Sequence, residues 1–154
     1  MAVNYKIVPF KECYTEEITT FWRENMRQSV GINPVHSFES QMHFLSHILP
    51  LSYRIFVAVN DSEQAIGFMA IKPNEINQLY IHPDYQGKGI GSEFIRMAKS
   101  QAGHFLELRT FEFNKGAQSF YIKHGFEASL GNCDNEEGLP DILFRWDNSL
   151  LKRG

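Results

Sequence analysis

The sequence has little cysteine and no excess of positive charge, and each shortage argues against a class of protein. Its 154 residues include two cysteines, Cys13 and Cys133, too far apart for a disulfide framework or for metal-ligand spacing. We therefore expect no metal site and a reducing, cytoplasmic location. The 15 lysines and arginines are outnumbered by 18 aspartates and glutamates, so the diffuse basic surface of a nucleic-acid-binding protein is absent.

Long hydrophobic runs are missing as well. No apolar run approaches the roughly 18 residues that a membrane helix needs. Residues 1–10 mix polar and apolar side chains, which is unlike the core of a signal peptide. What is present is ample core material, with 13 phenylalanines and no repeat or linker. We expect residues 1–154 to form a single domain that binds neither membrane nor nucleic acid.

Hydrophobic patterning predicts seven strands and four helices in the order β-α-α-β-β-β-α-β-α-β-β. Thr15 and Ser37 are the predicted N-caps of the first two helices, and Pro50 is the predicted end of the second. The other helices are predicted at about 90–102 and 116–124. The predicted strands cover 5–8 (ended by Pro9), 54–59, 65–71, 76–81, 105–111, 126–130 and 142–146. Helices interleaved with strands predict a three-layer α/β fold around a mixed sheet.

A glycine-rich stretch joins a predicted strand to a predicted helix. It reads Gln86-Gly87-Lys88-Gly89-Ile90-Gly91. Free N–H groups at a helix start favour an anion, above all a phosphate, and Lys88 adds charge. The stretch matches neither the Walker loop nor the G-x-G-x-x-G dinucleotide fingerprint. It could also be a tight turn without a ligand.

Two motifs together resemble the GNAT N-acetyltransferases. The spacing Gln86-x-x-Gly89-x-Gly91, after Leu79-Tyr80-Ile81-His82-Pro83, resembles that family's acyl-CoA motif. The block Asn114-Lys115-Gly116-Ala117-Gln118-Ser119-Phe120-Tyr121-Ile122-Lys123-His124-Gly125-Phe126 resembles its next motif. Residues 132–141 are similar to a branch of uncharacterised bacterial members. The resemblance follows the whole chain and is specific from Glu75 to Phe126. It implies an α/β/α fold whose central mixed, mostly antiparallel sheet splays between the fourth and fifth strands.

The resemblance also implies acetyl-CoA as the co-substrate. The backbone of Leu79, Tyr80 and Ile81 would pair with the pantetheine arm. Asn114 would hydrogen-bond the pantetheine or its neighbouring backbone, and this role is compatible with a plain helix N-cap. Lys88 could instead be only a solvated loop charge. The resemblance also implies that Gln86 belongs to the cofactor site. The backbone N–H groups implied for the pyrophosphate are those of Gly87, Lys88, Gly89, Ile90, Gly91 and Ser92.

The implied reaction is direct attack of an amine, on a small molecule or a peptide, on the thioester. Tyr121 corresponds to the family's usual proton donor, and the N–H of Ile81 is the candidate oxyanion donor. No covalent acyl-enzyme is required, so neither cysteine needs to be a nucleophile. Tyr121 could instead be an aromatic residue that packs in the core.

The general base is less well marked. Strict alternation back from Ile81 would place Leu79, Asn77 and Glu75 on one face, which makes Glu75 the first candidate. Glu112 is the second candidate, and a water chain is the third. Either carboxylate could instead be a solvated surface charge.

The acceptor groove of the family lies between the first two helices and the last strands. Acidic residues of the first helix and of loop 132–141 would suit a cationic amine, although they could also be solvated surface charges. The alternative function is a non-catalytic acyl-CoA-binding or sensing module on the same fold. The C-terminal edge strands could also pair across a homodimer, as in many relatives.

Overall fold

Seven strands form one sheet in the computed structural model, which describes residues 3–31 and 33–149. Their spatial order is β1-β2-β3-β4-β5-β7-β6, and every neighbouring pair is antiparallel except the parallel pair β4–β5. The mixed, mostly antiparallel sheet of the prediction is confirmed. The strands are β1 (Tyr5–Pro9), β2 (Arg54–Asn60), β3 (Ala65–Lys72), β4 (Glu75–Ile81), β5 (Phe105–Phe111), β6 (Glu127–Leu130) and β7 (Asp141–Asp147).

The sheet opens between β4 and β5. These strands are in register at one pair only, Glu75 opposite Glu107, whereas β5 and β7 pair along seven residues. The C-terminal half of β4 therefore has a neighbour on the β3 side and none on the β5 side. This is the predicted splay between the fourth and fifth strands.

Helices cover both faces of the sheet and complete the three layers. Helix α1 (Thr15–Val30) and the short α2 (Phe38–His43) pack on one face, and α3 (Ile90–Ser100) and α4 (Lys115–Lys123) pack on the other. In the described ranges, no helix has the length and apolar character needed to cross a membrane. The two cores contain large, fully buried side chains, with Ile18, Phe21, Leu45 and Phe68 on the α1 side and Ile90, Phe94, Ile95 and Phe144 on the α3 side.

Of three local predictions about helix ends, one is confirmed and two are wrong. Ser37 caps α2 as predicted, since its Oγ accepts from the N–H of Ser40 at 3.1 Å. Thr15 does not cap α1: a short 3-10 turn precedes the helix, and the Thr15 hydroxyl donates to the Glu12 carbonyl at 2.7 Å. Pro50 does not end an α-helix, because a π-helical turn (Phe44–Ile48) replaces the α-helix after His43 and Pro50 lies in the following 3-10 turn.

β1 is one residue longer than predicted, because Pro9 is part of the strand as its last residue, opposite Phe56. β1 is an edge strand, where proline's missing N–H costs little because one side of the strand has no partner.

A β-bulge in β4 changes which side chains share a face. Ala70 is opposite Gln78 and Ile71 is opposite Ile76, so Asn77 is an extra residue. Leu79 and Ile81 pack with the α3 core, whereas Glu75 is bonded to Tyr53 on the α1 side. The prediction that alternation places Leu79 on the same face as Glu75 is therefore wrong, because the bulge inverts the alternation.

Candidate functional site

A cleft of about 600 Å³ lies where β4 separates from β5. Neither Lys88 nor Glu75 is part of its wall. Its walls bring together most of the residues predicted to bind acetyl-CoA, although these come from a strand, a loop and two helices. The predicted residues in the wall are Leu79, Tyr80, Ile81, Gln86, Gly87, Gly89, Ile90, Gly91, Ser92, Asn114 and Tyr121.

The glycine loop gives this cleft its polar end. Gly87 and Gly89 have φ angles of 75° and 91°, a conformation that other residues rarely adopt. Gly89 is the N-cap of α3, so the N–H groups of the first turn have no partner within the helix and point out of its end. Space at Gly91 is tight, because a Cβ there would lie 3.2 Å from Cζ of Phe120 and that ring would have to shift. The arrangement suits an anion held close to the backbone.

Asn25 is a site residue that sequence reasoning missed. It is 4% exposed on α1, and its Nδ2 donates to the carbonyls of Phe21 at 3.0 Å and Ile81 at 2.9 Å. Its Oδ1 accepts from Nε2 of Gln86 at 2.8 Å. One buried amide thus joins α1, the end of β4 and the start of the glycine loop. The available signal was a polar residue in the apolar stripe of Ile18, Phe21 and Trp22.

Asn114 lies at the start of α4 and Tyr121 in its last turn, and both line the cleft. Asn114 caps the helix, with its Oδ1 accepting from the N–H of Ala117 at 3.1 Å. Tyr121 is 8% exposed, and its ring contacts those of Phe120, Phe126 and Phe144. Burial, and then the nearby Tyr80, raise the pKa of the Tyr121 hydroxyl well above its usual value. Tyr121 therefore keeps its proton at neutral pH while its hydroxyl borders the cleft.

A second cavity of about 640 Å³ lies on the α1 side of the sheet. Tyr80 lines both this cavity and the first one, so the two spaces meet at this residue. Trp22 and Phe44 supply aromatic wall, and their rings are 6.5 Å apart. Two carboxylates of the β6–β7 loop, Glu136 and Glu137, line the same space.

A polar contact joins two walls of this second cavity. Nε2 of His36, between α1 and α2, lies 2.8 Å from Oε2 of Glu136 in the β6–β7 loop, and both residues line the cavity. The His36 carbonyl accepts from Nη1 of Arg23 at 2.6 Å. Two segments 100 residues apart in sequence thus meet at the cavity wall. The cavity has both aromatic and acidic side chains in its wall.

The other acidic residues predicted for the acceptor groove lie at separate places in the structure. Asp141 is buried and paired with Arg109, with Oδ1 at 3.1 Å from Nη1. Glu16 and Glu17 line a different cleft, beside Cys13 and His82. The acidic residues predicted to line one acceptor groove are therefore separated, and of these Glu136 and Glu137 line the second cavity.

Neither candidate base lines either cavity. Glu75 is six residues before Ile81 along β4, about 20 Å at the usual rise of a strand. Its Oε2 accepts from the hydroxyl of Tyr53 at 2.8 Å and from Nδ2 of Asn77 at 3.1 Å. Burial, and then this bond to Glu75, raise the pKa of Tyr53 to about 12. Glu112 is exposed after β5.

Comparison with known proteins identifies the family of this chain. Residues 52–128 match the acetyltransferase (GNAT) domain. The peptidyl-lysine N-acetyltransferase YjaB of Salmonella typhimurium is 29% identical over 131 residues, which cover 81% of this chain and 85% of that protein.

Solved structures support the same fold. The solution structure of apo YjaB from Escherichia coli has a TM-score of 0.73 at 25% identity, covering 92% of this chain and 95% of that one. The structure of YncA from Salmonella typhimurium with its cofactor acetyl-CoA has a TM-score of 0.71 at 14% identity, covering 94% of both chains.

Proposed function

This chain belongs to the GNAT acetyltransferase family, and we propose that it moves an acetyl group from acetyl-CoA directly to a primary amine, preferably the ε-amine of a peptide lysine. The observation that carries the proposal is the cleft at the β4–β5 splay, where the glycine loop, Asn114 and Tyr121 converge. The relative YjaB, named a peptidyl-lysine N-acetyltransferase, supports the choice of acceptor.

Acetyl-CoA fits the chemistry of this cleft. The N-terminus of α3 offers N–H groups to its diphosphate. The splay leaves backbone groups of β4 without a strand partner beyond Glu75, and these suit the amides of the pantetheine arm. Acetyl-CoA supplies the thioester, whose reacting carbon would lie near Ile81 and Tyr121.

Two groups would stabilise the charges that develop during the reaction. The N–H of His82 donates to Ile66 on β3 at 2.8 Å, so the preceding N–H, that of Ile81, faces the opposite side, toward the splay. There it would donate to the developing oxyanion. Tyr121, which stays protonated, would give its proton to the departing CoA thiolate. The amine would lose its proton to a water chain, because Glu75 lies about 20 Å from Ile81 along β4.

The second cavity would hold the acceptor. A lysine side chain is an aliphatic stem with a cationic end, and Trp22 and Phe44 offer apolar surface beside Glu136 and Glu137. Tyr80 joins this cavity to the cleft, which would let the amine reach the thioester.

Replacement of Tyr121 by phenylalanine tests the proposal. We expect kcat to fall by about 10²–10⁴, the usual contribution of a general acid, while the Kd for acetyl-CoA changes little. Thiol release with lysine peptides measures turnover, and calorimetry measures binding. Tyr14→Phe is the matched control, since Tyr14 packs beside the α1 core outside the cleft. An unchanged kcat in Tyr121→Phe would contradict the proposed role, and acetyl-CoA binding without turnover on any amine would favour a sensing module.

A further inference from the structure

A histidine outside the predicted site is hydrogen-bonded to a residue inside it. Nε2 of His124 lies 3.0 Å from Oγ of Ser92. Ser92 is in the first turn of α3 and lines the cleft, whereas His124 follows the last residue of α4. The carbonyl of His124 accepts from Nζ of Lys99 at 2.5 Å, and its ring lies 4.6 Å from that of Phe120. The imidazole is therefore held against the start of α3.

The surroundings of this ring are cationic. Lys99 and Arg96 act on it from α3, and Lys123 acts on it from α4. Burial first, and then these three cations, lower the pKa of His124 below its usual value. In the free protein at neutral pH the ring is therefore mostly uncharged, and in its Nδ1–H tautomer Nε2 accepts the Ser92 hydroxyl proton.

An anion at the cleft would reverse this balance. A diphosphate at the N-terminus of α3 brings negative charge beside Ser92 and offsets the repulsion from the three cations. A protonated ring donates its Nε2–H to Oγ of Ser92, which frees the hydroxyl proton of Ser92 to bond a phosphate oxygen.

We propose that His124 takes up a proton from solvent when the diphosphate of acetyl-CoA binds, and that the imidazolium then holds Ser92 as a donor to the phosphate. His124 is thus a positioning residue, since it acts on the ligand through Ser92. The inference rests on the proposed use of acetyl-CoA. It makes acetyl-CoA affinity dependent on pH.

The sign of that dependence follows from the two protonation equilibria. The pKa of His124 is lower in the free protein than in the complex, so the complex binds more protons between these two values. Affinity for acetyl-CoA therefore rises as the pH falls through the pKa of the complex and levels off below the pKa of the free protein. Each unit of difference between the two pKa values of His124 changes the affinity by about tenfold across this pH range.

Calorimetric titration in buffers of different ionisation enthalpy measures the proton uptake directly. The ligands are acetyl-CoA and 3′-dephospho-acetyl-CoA, since the second keeps the diphosphate but lacks the 3′-phosphate, which titrates in the same range. Between pH 5.5 and 8 we expect the wild type to take up protons with both ligands, about half a proton at most if the pKa rises by one unit.

His124→Gln is the discriminating variant. Its amide can still reach Ser92 but cannot take a charge, so we expect no linked proton uptake and an affinity for dephospho-acetyl-CoA that is independent of pH. His104→Gln, at an exposed histidine before β5, is the matched control and should behave as the wild type.

Equal proton uptake in the wild type and His124→Gln would overturn the inference. Should His124→Gln fail to fold, NMR titration of the His124 imidazole in the wild type, with and without acetyl-CoA, decides the same question. A rise in its pKa supports the inference, and an unchanged pKa refutes it. Failure of the wild type to bind acetyl-CoA at all would instead refute the proposed function.

Discussion

Replacing Asn25 with alanine should destabilise the protein and loosen the acetyl-CoA cleft together. The change removes three hydrogen bonds of 2.8–3.0 Å from a side chain that is 4% exposed. At about 1 kcal/mol net each, the loss is about 3 kcal/mol. Alanine is a better helix former than asparagine by about 0.6 kcal/mol, which leaves about 2 kcal/mol.

For a chain of this length, 2 kcal/mol lowers Tm by about 4–8 °C. Gln28→Ala is the matched control on the same helix, since Gln28 is exposed and donates to Glu24 at 3.0 Å on the surface. We expect that control to change Tm by about 1–2 °C at most, because exposed substitutions usually stay within about 0.5 kcal/mol.

Thermal unfolding with and without acetyl-CoA gives both readouts. A ligand that binds the folded state raises Tm, and this rise should be smaller in Asn25→Ala because Gln86 and the end of β4 lose their support. The reasoning is refuted if Asn25→Ala melts within 1 °C of Gln28→Ala.

Two further substitutions test the cleft and the base. Gly91→Val should reduce the stabilisation by acetyl-CoA, because even the first added carbon lies 3.2 Å from Cζ of Phe120 and the two methyl groups of valine add to the crowding at the cleft wall; a wild-type rise in Tm on adding acetyl-CoA would contradict this. Glu75→Gln should reduce kcat by less than about tenfold, because Glu75 lies far from Ile81 along β4. Loss of a true general base would reduce kcat by about 10²–10⁴. A hundredfold loss across the pH profile would place Glu75 in the proton path.

Much of the fold followed from local patterns. The order of strands and helices and the Ser37 cap were predictable, because strand alternation, helical periodicity and capping are properties of neighbouring residues. The bulge at Asn77 was not predictable in this way, since it is a mismatch between two strands. This one inserted residue accounts for the error in assigning the faces of β4.

The residues of the candidate site also fall into those that are predictable from neighbouring residues and those that are not. The glycine loop and the α4 motif are contiguous in sequence, and the structure brings them to one cleft. Asn25 and His124 contribute through partners 61 and 32 residues away, Gln86 and Ser92, so their roles needed the tertiary structure. A polar residue in an apolar helical stripe was the only sequence signal for Asn25.

The contacts of Asn25 also give the end of β4 its chemical polarity. The carbonyl of Ile81 faces away from β3 and would be an acceptor in the cleft if it had no partner. Asn25 and Gln86 both donate to it, at 2.9 and 3.1 Å, so its lone pairs are occupied. The end of β4 therefore presents the N–H of Ile81 to the cleft without a competing acceptor. In the proposed mechanism this polarity favours an oxyanion at Ile81, because an uncompensated carbonyl would repel the developing charge.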